Sequence, residues 1–357
     1  MRRKVLLISG SNPERTPFIG FYKNILERAK VDYDILYWNR DINDTANEIA
    51  SNHYVYNEPL YIYSNPLKKI IATYKFYRYG KRILKEGDYS KIICFTVFSS
   101  IFFQHFLKTY YKGSYIFDIR DYSPLINRRI FRNLFEALIR NSYTTIISSD
   151  GFKKWLPEGF QYVISHNIDS SLLSHLNVNT NHDKLNILTI GFFVRFAPNG
   201  FLIRSFANSN EVILSFVGYG PSYSEYECFC KDNQINNVVF KGRYKKEKEL
   251  EFYDHCDMVN ILLPHTLNSD TCMSNRFYNA VVARKPMIVN SDCYQAYLVN
   301  EYKLGIVIDK YENLDKQILG YYYTINWDEY YKGCDRFIQD VKKDNSFFEN
   351  TILNFIK

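Results

Sequence analysis

The stretch TCMSNRFYNAVVARKPMIVN, residues 271–290, reads as a loop, a helix opening at Ser274 and Asn275, and a short strand entered through Lys285 and Pro286. Asn275 and Asn279 lie one turn apart on that helix and share a face, which suits either a polar ligand or ordinary helix chemistry. Upstream, YIFDIRDYSP (115–124) sets Asp118, Arg120 and Asp121 at the carboxyl end of an apolar run. Charges at that end of a buried strand sit where crevices open in parallel sheets. The competing reading is an Arg–Asp pair capping the next helix, or Asp121 as its N-cap. In LSFVGYG, Gly218 and Gly220 let backbone approach a base or ribose, or simply form a strand-end turn.

Such groups need a large scaffold. The chain has 357 residues, 46% of them hydrophobic, which suits two domains of roughly 150 to 200 residues each. Its seven cysteines are scattered without Cys-x-x-Cys spacing, so neither a disulfide framework nor a zinc site is indicated and a reducing cytoplasm is favoured. The apolar run after MRRK is shorter than a signal-peptide core, and no stretch approaches the ~20 apolar residues of a spanning helix. A net charge of +7 with 32 tyrosines and 27 phenylalanines suits anionic or interfacial partners. An AT-rich genome would produce the same enrichment. Positive charge is spread and no recognition motif occurs, so nucleic acid is not an expected partner.

Short apolar runs alternate with amphipathic stretches. Strands are expected at 4–10, 32–38, 91–98, 114–120, 144–149 and 161–166, and again at 185–193, 211–218, 237–242, 257–264, 286–290 and 305–309. Between the two series lies the polar segment 167–184. The alternation implies two Rossmann-like, doubly wound α/β domains with parallel sheets: a first at 1–168, a second at 185–325, and helices at 326–357 returning to the first. Ligands are expected in a cleft between them. The missing Gly-x-Gly-x-x-Gly argues against a dinucleotide oxidoreductase.

Residues 65–89 carry a further pattern. Lys68, Lys75, Arg78, Lys81, Arg82 and Lys85 fall in one half of a helical wheel, and Phe76, Tyr77, Tyr79, Ile83 and Leu84 mainly in the other. Such a helix can lie on anionic lipid, or pack its apolar half on the first sheet and solvate the rest.

The order of parts in the second series, ILTIG, helix, LSFVGYG, helix, NVVFKGRY, LEFYDHCDMVNILLP and SNRFYNAVVARKPMIV, resembles the donor domain of GT-B glycosyltransferases. Within that fold it looks most like the GT4 group of bacterial polysaccharide (capsule and O-antigen) enzymes. The resemblance covers roughly 185–309 well and the first half loosely. It implies a glycosyltransferase that moves a sugar from a UDP- or GDP-sugar to a glycan acceptor, free or linked to a lipid such as polyprenyl diphosphate, with retention of configuration. No metal or other cofactor is expected, because the fold's own cations can neutralise the leaving group. The protein would be cytoplasmic, with peripheral contact at the inner face of the cell membrane. On this match the helix start at Ser274 and Asn275 faces the diphosphate. The family's two motif glutamates fall on Thr271 and Asn279, the latter at the ribose. The family's phosphate-binding Arg and Lys fall on Phe192 and Asn199, and Arg195, in an IRY-like VRF, is the expected replacement, with Arg276 and Arg243 as further candidates. Asp118, Arg120 and Asp121 would stand beside the reaction centre, where Asp118 or Asp121 would act as base if the reaction inverts. A nucleotide-sugar epimerase and a non-catalytic scaffold with a decayed donor site are the rival readings.

Overall fold

The computed structural model describes residues 4–40, 52–60, 64–168 and 183–357. Two compact units are present, Met1–Asn167 with Asp344–Lys357, and Ile168–Lys343. Of the polar segment at 167–184, residues 169–182 lie outside the described residues.

The first unit holds β1 (Lys4–Ser9), β2 (Tyr33–Asn39), β3 (His53–Asn57), β4 (Tyr89–Phe95), β5 (Tyr115–Ile119), β6 (Thr144–Ile147) and β7 (Tyr162–Ile164). They form one seven-stranded sheet in the order β3-β2-β1-β4-β5-β6-β7, parallel throughout. Runs such as VLLI and IICF are buried on both faces, as parallel strands covered by helices must be. The second unit holds β8 (Leu185–Phe192), β9 (Val212–Tyr219), β10 (Val238–Gly242), β11 (Met258–Ile261), β12 (Met287–Asn290) and β13 (Gly305–Ile308). Their order is β10-β9-β8-β11-β12-β13, again parallel. Each sheet reverses its winding once, at β1/β4 and at β8/β11. Ligands of doubly wound sheets sit outside the carboxyl ends at such points.

Every expected strand is present, and β3 is an addition. Its sequence HYVYN is half-exposed at the sheet edge and lacks the apolar run that marks the others. The expected C-terminal helices also form, at Leu314–Tyr323 and Trp327–Ile356. The last is a single helix of 30 residues. Tyr330, Cys334, Phe337, Ile338 and Val341 enter the core of the second unit, while Phe348, Ile352, Phe355 and Ile356 enter that of the first. Near the change of partner, Asp344 lies 3.0 Å from the His166 Nε2 and the Asn345 Oδ1 accepts the His166 N–H at 3.1 Å.

The helix Pro66–Glu86 decides between the two expected packings of its apolar half. Asn65 caps it by accepting the Leu67 N–H at 2.8 Å, and Pro66 takes the first helical position. Its buried residues include Phe76, Ile83 and Leu84, so the apolar half packs inward, the second of the two expected arrangements. The outward face is different: Leu67, Ile70, Ile71 and Tyr74 are 64%, 65%, 47% and 58% exposed. Their i, i+3, i+4, i+7 spacing makes one stripe. Arg78 and Lys85 continue that stripe in the second half of the helix. Among the described residues no helix is long and apolar enough to cross a membrane.

Candidate functional site

At the carboxyl end of β8, three glycines allow an unusually close approach of backbone. A Cβ on Gly218 would lie 1.9 Å from the Gly191 carbonyl oxygen, and one on Gly220 would lie 2.2 Å from that of Phe193. Both residues have φ near +140°, at 140° and 146°, which glycine alone holds without strain. The glycines expected to admit a ligand therefore first serve to seat β9 and the turn after it against β8. Gly191 has a different neighbour: a Cβ there would come within 2.9 Å of the Arg276 Nη2.

Arg276 sits in the first turn of the helix Asn275–Val282 and brings its guanidinium beside Gly191, next to the point where the sheet reverses. Burial pushes its pKa down, opposed by Tyr253, Tyr244, Glu249 and Tyr226. Among the described residues it makes no ion pair or hydrogen bond. The carboxylate that acts on it, Glu249, is buried and otherwise engaged: its Oε1 accepts from Asn279 Nδ2 at 2.9 Å, and its Oε2 pairs with Lys246. Sequence reading missed Glu249. It lies 30 residues from Asn279, inside EKELEFYDHC, which reads as any amphipathic helix.

The other donor-side residues take up distinct places. Ser274 caps its helix, accepting from the Phe277 N–H, while its own hydroxyl donates to Gln295 Oε1 at 2.8 Å. Asn275 is half-buried in the same turn. Thr271 is buried, and its hydroxyl donates to the Leu267 carbonyl at 2.6 Å. Arg195 is exposed, but its loop is fixed: the Tyr226 hydroxyl donates to the Arg195 carbonyl at 2.7 Å and receives the Asn199 amide at 3.3 Å. Asn260 of β11 locks Asn199 in turn, at 2.8 Å. Exposed Arg243 stacks on Tyr219, its guanidinium carbon 3.8 Å from the ring centroid, and Tyr219 meets exposed Phe192 at 5.2 Å. The chain thus brings Arg276, Asn279 and Glu249 together, sets Arg195 on a pinned loop, and turns Arg243 onto an aromatic neighbour.

In the first unit, Asp118 and Arg120 form a closed pair. Arg120 Nε and Nη2 donate to Asp118 Oδ1 and Oδ2 at 2.6 and 2.7 Å, and both side chains are buried. The Tyr22 hydroxyl also donates to Asp118, and Arg120 Nη1 reaches the Ser165 carbonyl at 3.0 Å. Burial opposes the charge on Arg120, but Asp118 outweighs it and the pKa rises. Burial first, then the Asp118 charge, drives the Tyr22 hydroxyl well above its usual value. The two residues pair, as the competing sequence reading has it, but the pair does not cap the next helix, Pro124–Asn127, which has no side-chain cap; of the three residues only Asp121 is exposed. Asp32 and Asp34 have Asp-x-Asp spacing, but Asp34 lies at the amino end of β2, held by Lys4 at 2.7 Å and by Tyr89, away from either reversal point.

The fold is GT-B: two Rossmann-like units, each with a parallel sheet. No protein-family model matches the chain, and no curated protein sequence matches it. Solved structures do. Sucrose-phosphate synthase from Thermosynechococcus elongatus superposes with a TM-score of 0.73 at 16% identity, over 99% of this chain and 97% of that one. HepE from Anabaena, in complex with UDP, gives 0.67 at 13% identity, over 99% and 100%. A glycosyltransferase from Rickettsia africae gives 0.69 at 10% identity, over 100% and 98%.

Proposed function

We propose that the chain is a glycosyltransferase that takes its sugar from a nucleotide diphosphate sugar and passes it to a glycan acceptor in surface polysaccharide synthesis. The observation that carries this reading is Arg276, a guanidinium drawn down beside Gly191 without an ionic partner among the described residues. The side chain is partly buried and has no salt bridge among the described residues, and a diphosphate at the β8/β11 reversal would supply the charged acceptor that a guanidinium fork matches. The likeness to HepE, whose structures hold UDP or UDP-glucose, supports the same ligand class. Arg195 would approach the phosphates from its loop, and Glu249, steadied by the Asn279 amide, would accept from the ribose hydroxyls in place of a carboxylate at 279.

With phosphates neutralised by arginine, the leaving group needs no metal, and the reading includes retention, with the chain supplying position and charge stabilisation. Asp121 is the exposed carboxylate that would serve as base in an inverting reaction. Calorimetric titration with UDP, GDP and their sugars is the test. Saturable binding of one nucleotide, with release of that nucleotide when an acceptor is added, is expected; absence of any nucleotide binding would sink the reading.

The outward stripe of Leu67, Ile70, Ile71 and Tyr74, in a helix with seven basic residues and one acidic, complements an anionic lipid surface. We assign it to peripheral contact with the membrane that carries the acceptor. Vesicles of phosphatidylglycerol should retain the protein, and Ile70→Glu with Ile71→Glu should release it. Retention unchanged by that pair, or self-association disrupted by it without vesicle binding, would end this assignment.

A further inference from the structure

A second group of polar atoms, without partners among the described residues, lies where the first sheet reverses. From β1 the chain runs to β2 on one side and comes back to β4 on the other, so the crevice between β1 and β4 is the ligand position of that sheet. Arg40 follows β2 and is held between two rings, its guanidinium carbon 4.4 Å from the Trp38 centroid and 5.0 Å from that of Phe98. Its Nε is buried and makes no hydrogen bond among the described residues, and the same is true of Ser99 Oγ, on a residue with 0% exposure. Buried polar atoms are nearly always paired, so two orphans side by side call for an explanation.

Gly10, just past β1, shows that the two converge. A Cβ built on it would lie 2.7 Å from Ser99 Oγ and 3.4 Å from Arg40 Nη2. Both groups therefore border the space that the absent side chain leaves. The helix Val97–Tyr110, 14 residues long, starts at the same place and has no side-chain cap. Its first N–H groups lack acceptors within the helix and carry the positive end of its dipole. The corner between β4 and this helix is Thr96, at φ 67° and ψ 152°, a conformation that a β-branched residue rarely holds.

We infer that this crevice binds the phosphoryl group of a second ligand, held by Arg40, the Ser99 hydroxyl and the opening N–H groups of the helix Val97–Tyr110. A guanidinium edge, a hydroxyl and helix N–H groups together match a tetrahedral oxyanion. The ligand is a phosphate ester or a lipid phosphate, sources that share this chemistry. The site goes beyond the donor reading and does not depend on it, since it lies in the other unit.

The test is titration of the full chain, with and without UDP, by inorganic phosphate and by glucose 1-phosphate, alongside sedimentation with phosphatidylcholine vesicles carrying phosphatidic acid. Binding of a soluble probe in the presence of UDP is expected if the natural ligand is a soluble ester; retention by phosphatidic acid vesicles alone assigns a lipid phosphate. In either case Arg40→Gln should weaken binding about 10- to 100-fold, and Arg40→Lys, which keeps charge and stem, by less. Gly10→Ala should weaken binding by filling the space. Ser99→Ala should weaken it several-fold while raising the melting temperature of the ligand-free protein, because it removes a hydroxyl without a partner. UDP affinity should be the same in all four variants. No binding of either source, binding indifferent to Arg40→Gln and Arg40→Lys, or a melting temperature lowered by Ser99→Ala would overturn the inference. A failure of UDP binding alone would count against the donor reading and leave this one standing.

Discussion

Buried Arg120 and partly buried Arg276 both lie near the carboxyl ends of parallel strands, and the chain treats them in opposite ways. Arg120 has a carboxylate two residues away that takes its Nε–Nη2 edge, a carbonyl at Ser165 that takes Nη1, and a tyrosine on the same carboxylate. Arg276 has glycine backbone and tyrosines around it, and its nearby carboxylate is held by Asn279 and Lys246. A charge that the fold satisfies holds the fold; a charge that the fold leaves open is an invitation to an anion. On the proposed reading the contrast gives a structural role to one arginine and ligand binding to the other, although both look alike as isolated letters.

The largest effect should come from breaking the closed pair. Asp118→Asn leaves a buried cation uncompensated and should destabilise the first unit by about 3–5 kcal/mol, read as a lower urea midpoint. A midpoint within error of the parent would mean that the pair is not sealing anything. Arg276→Gln is the mirror experiment: stability unchanged or raised, with nucleotide affinity down about 10- to 100-fold. Loss of stability in parallel with loss of binding would erase the distinction between the two arginines. Glu249→Gln should cost about tenfold in UDP affinity and remove the preference for UDP over 2′,3′-dideoxy-UDP. Asn279→Glu in that background should restore part of it. Smallest is Arg195→Ala, an exposed residue, for which a several-fold weakening of UDP binding without a change in melting temperature is expected.

Legibility in the sequence followed physical lines. Runs such as VLLIS and IICF announce strands buried on both faces, whereas HYVYN at an edge has no pattern to announce it. The strand-end loops were visible, and with them Arg195, Gly218 and Gly220. The resemblance sets the family's two glutamates on Thr271 and Asn279, but it carries no information on which other carboxylate lies nearby. Glu249 reaches Asn279 from a helix in another crossover, a contact that no local spacing encodes. The Asp118–Arg120 spacing permits a pair or an open site, and only burial separates them. In the helix Pro66–Glu86 the wheel sorted the residues correctly by polarity, yet the sheet took Phe76, Ile83 and Leu84 and left Leu67 and Ile70 outside. A wheel cannot tell which of two apolar arcs meets the core.

The long helix Trp327–Ile356 has a consequence for synthesis. Phe348, Ile352, Phe355 and Ile356 belong to the core of the first unit, yet they are translated after the whole of the second. During translation, part of the apolar floor of the first sheet therefore stays uncovered until the end of this helix has been made. The second unit, with all of its own core residues already made, is free to fold first, reversing the usual order in which amino-terminal domains settle before those that follow.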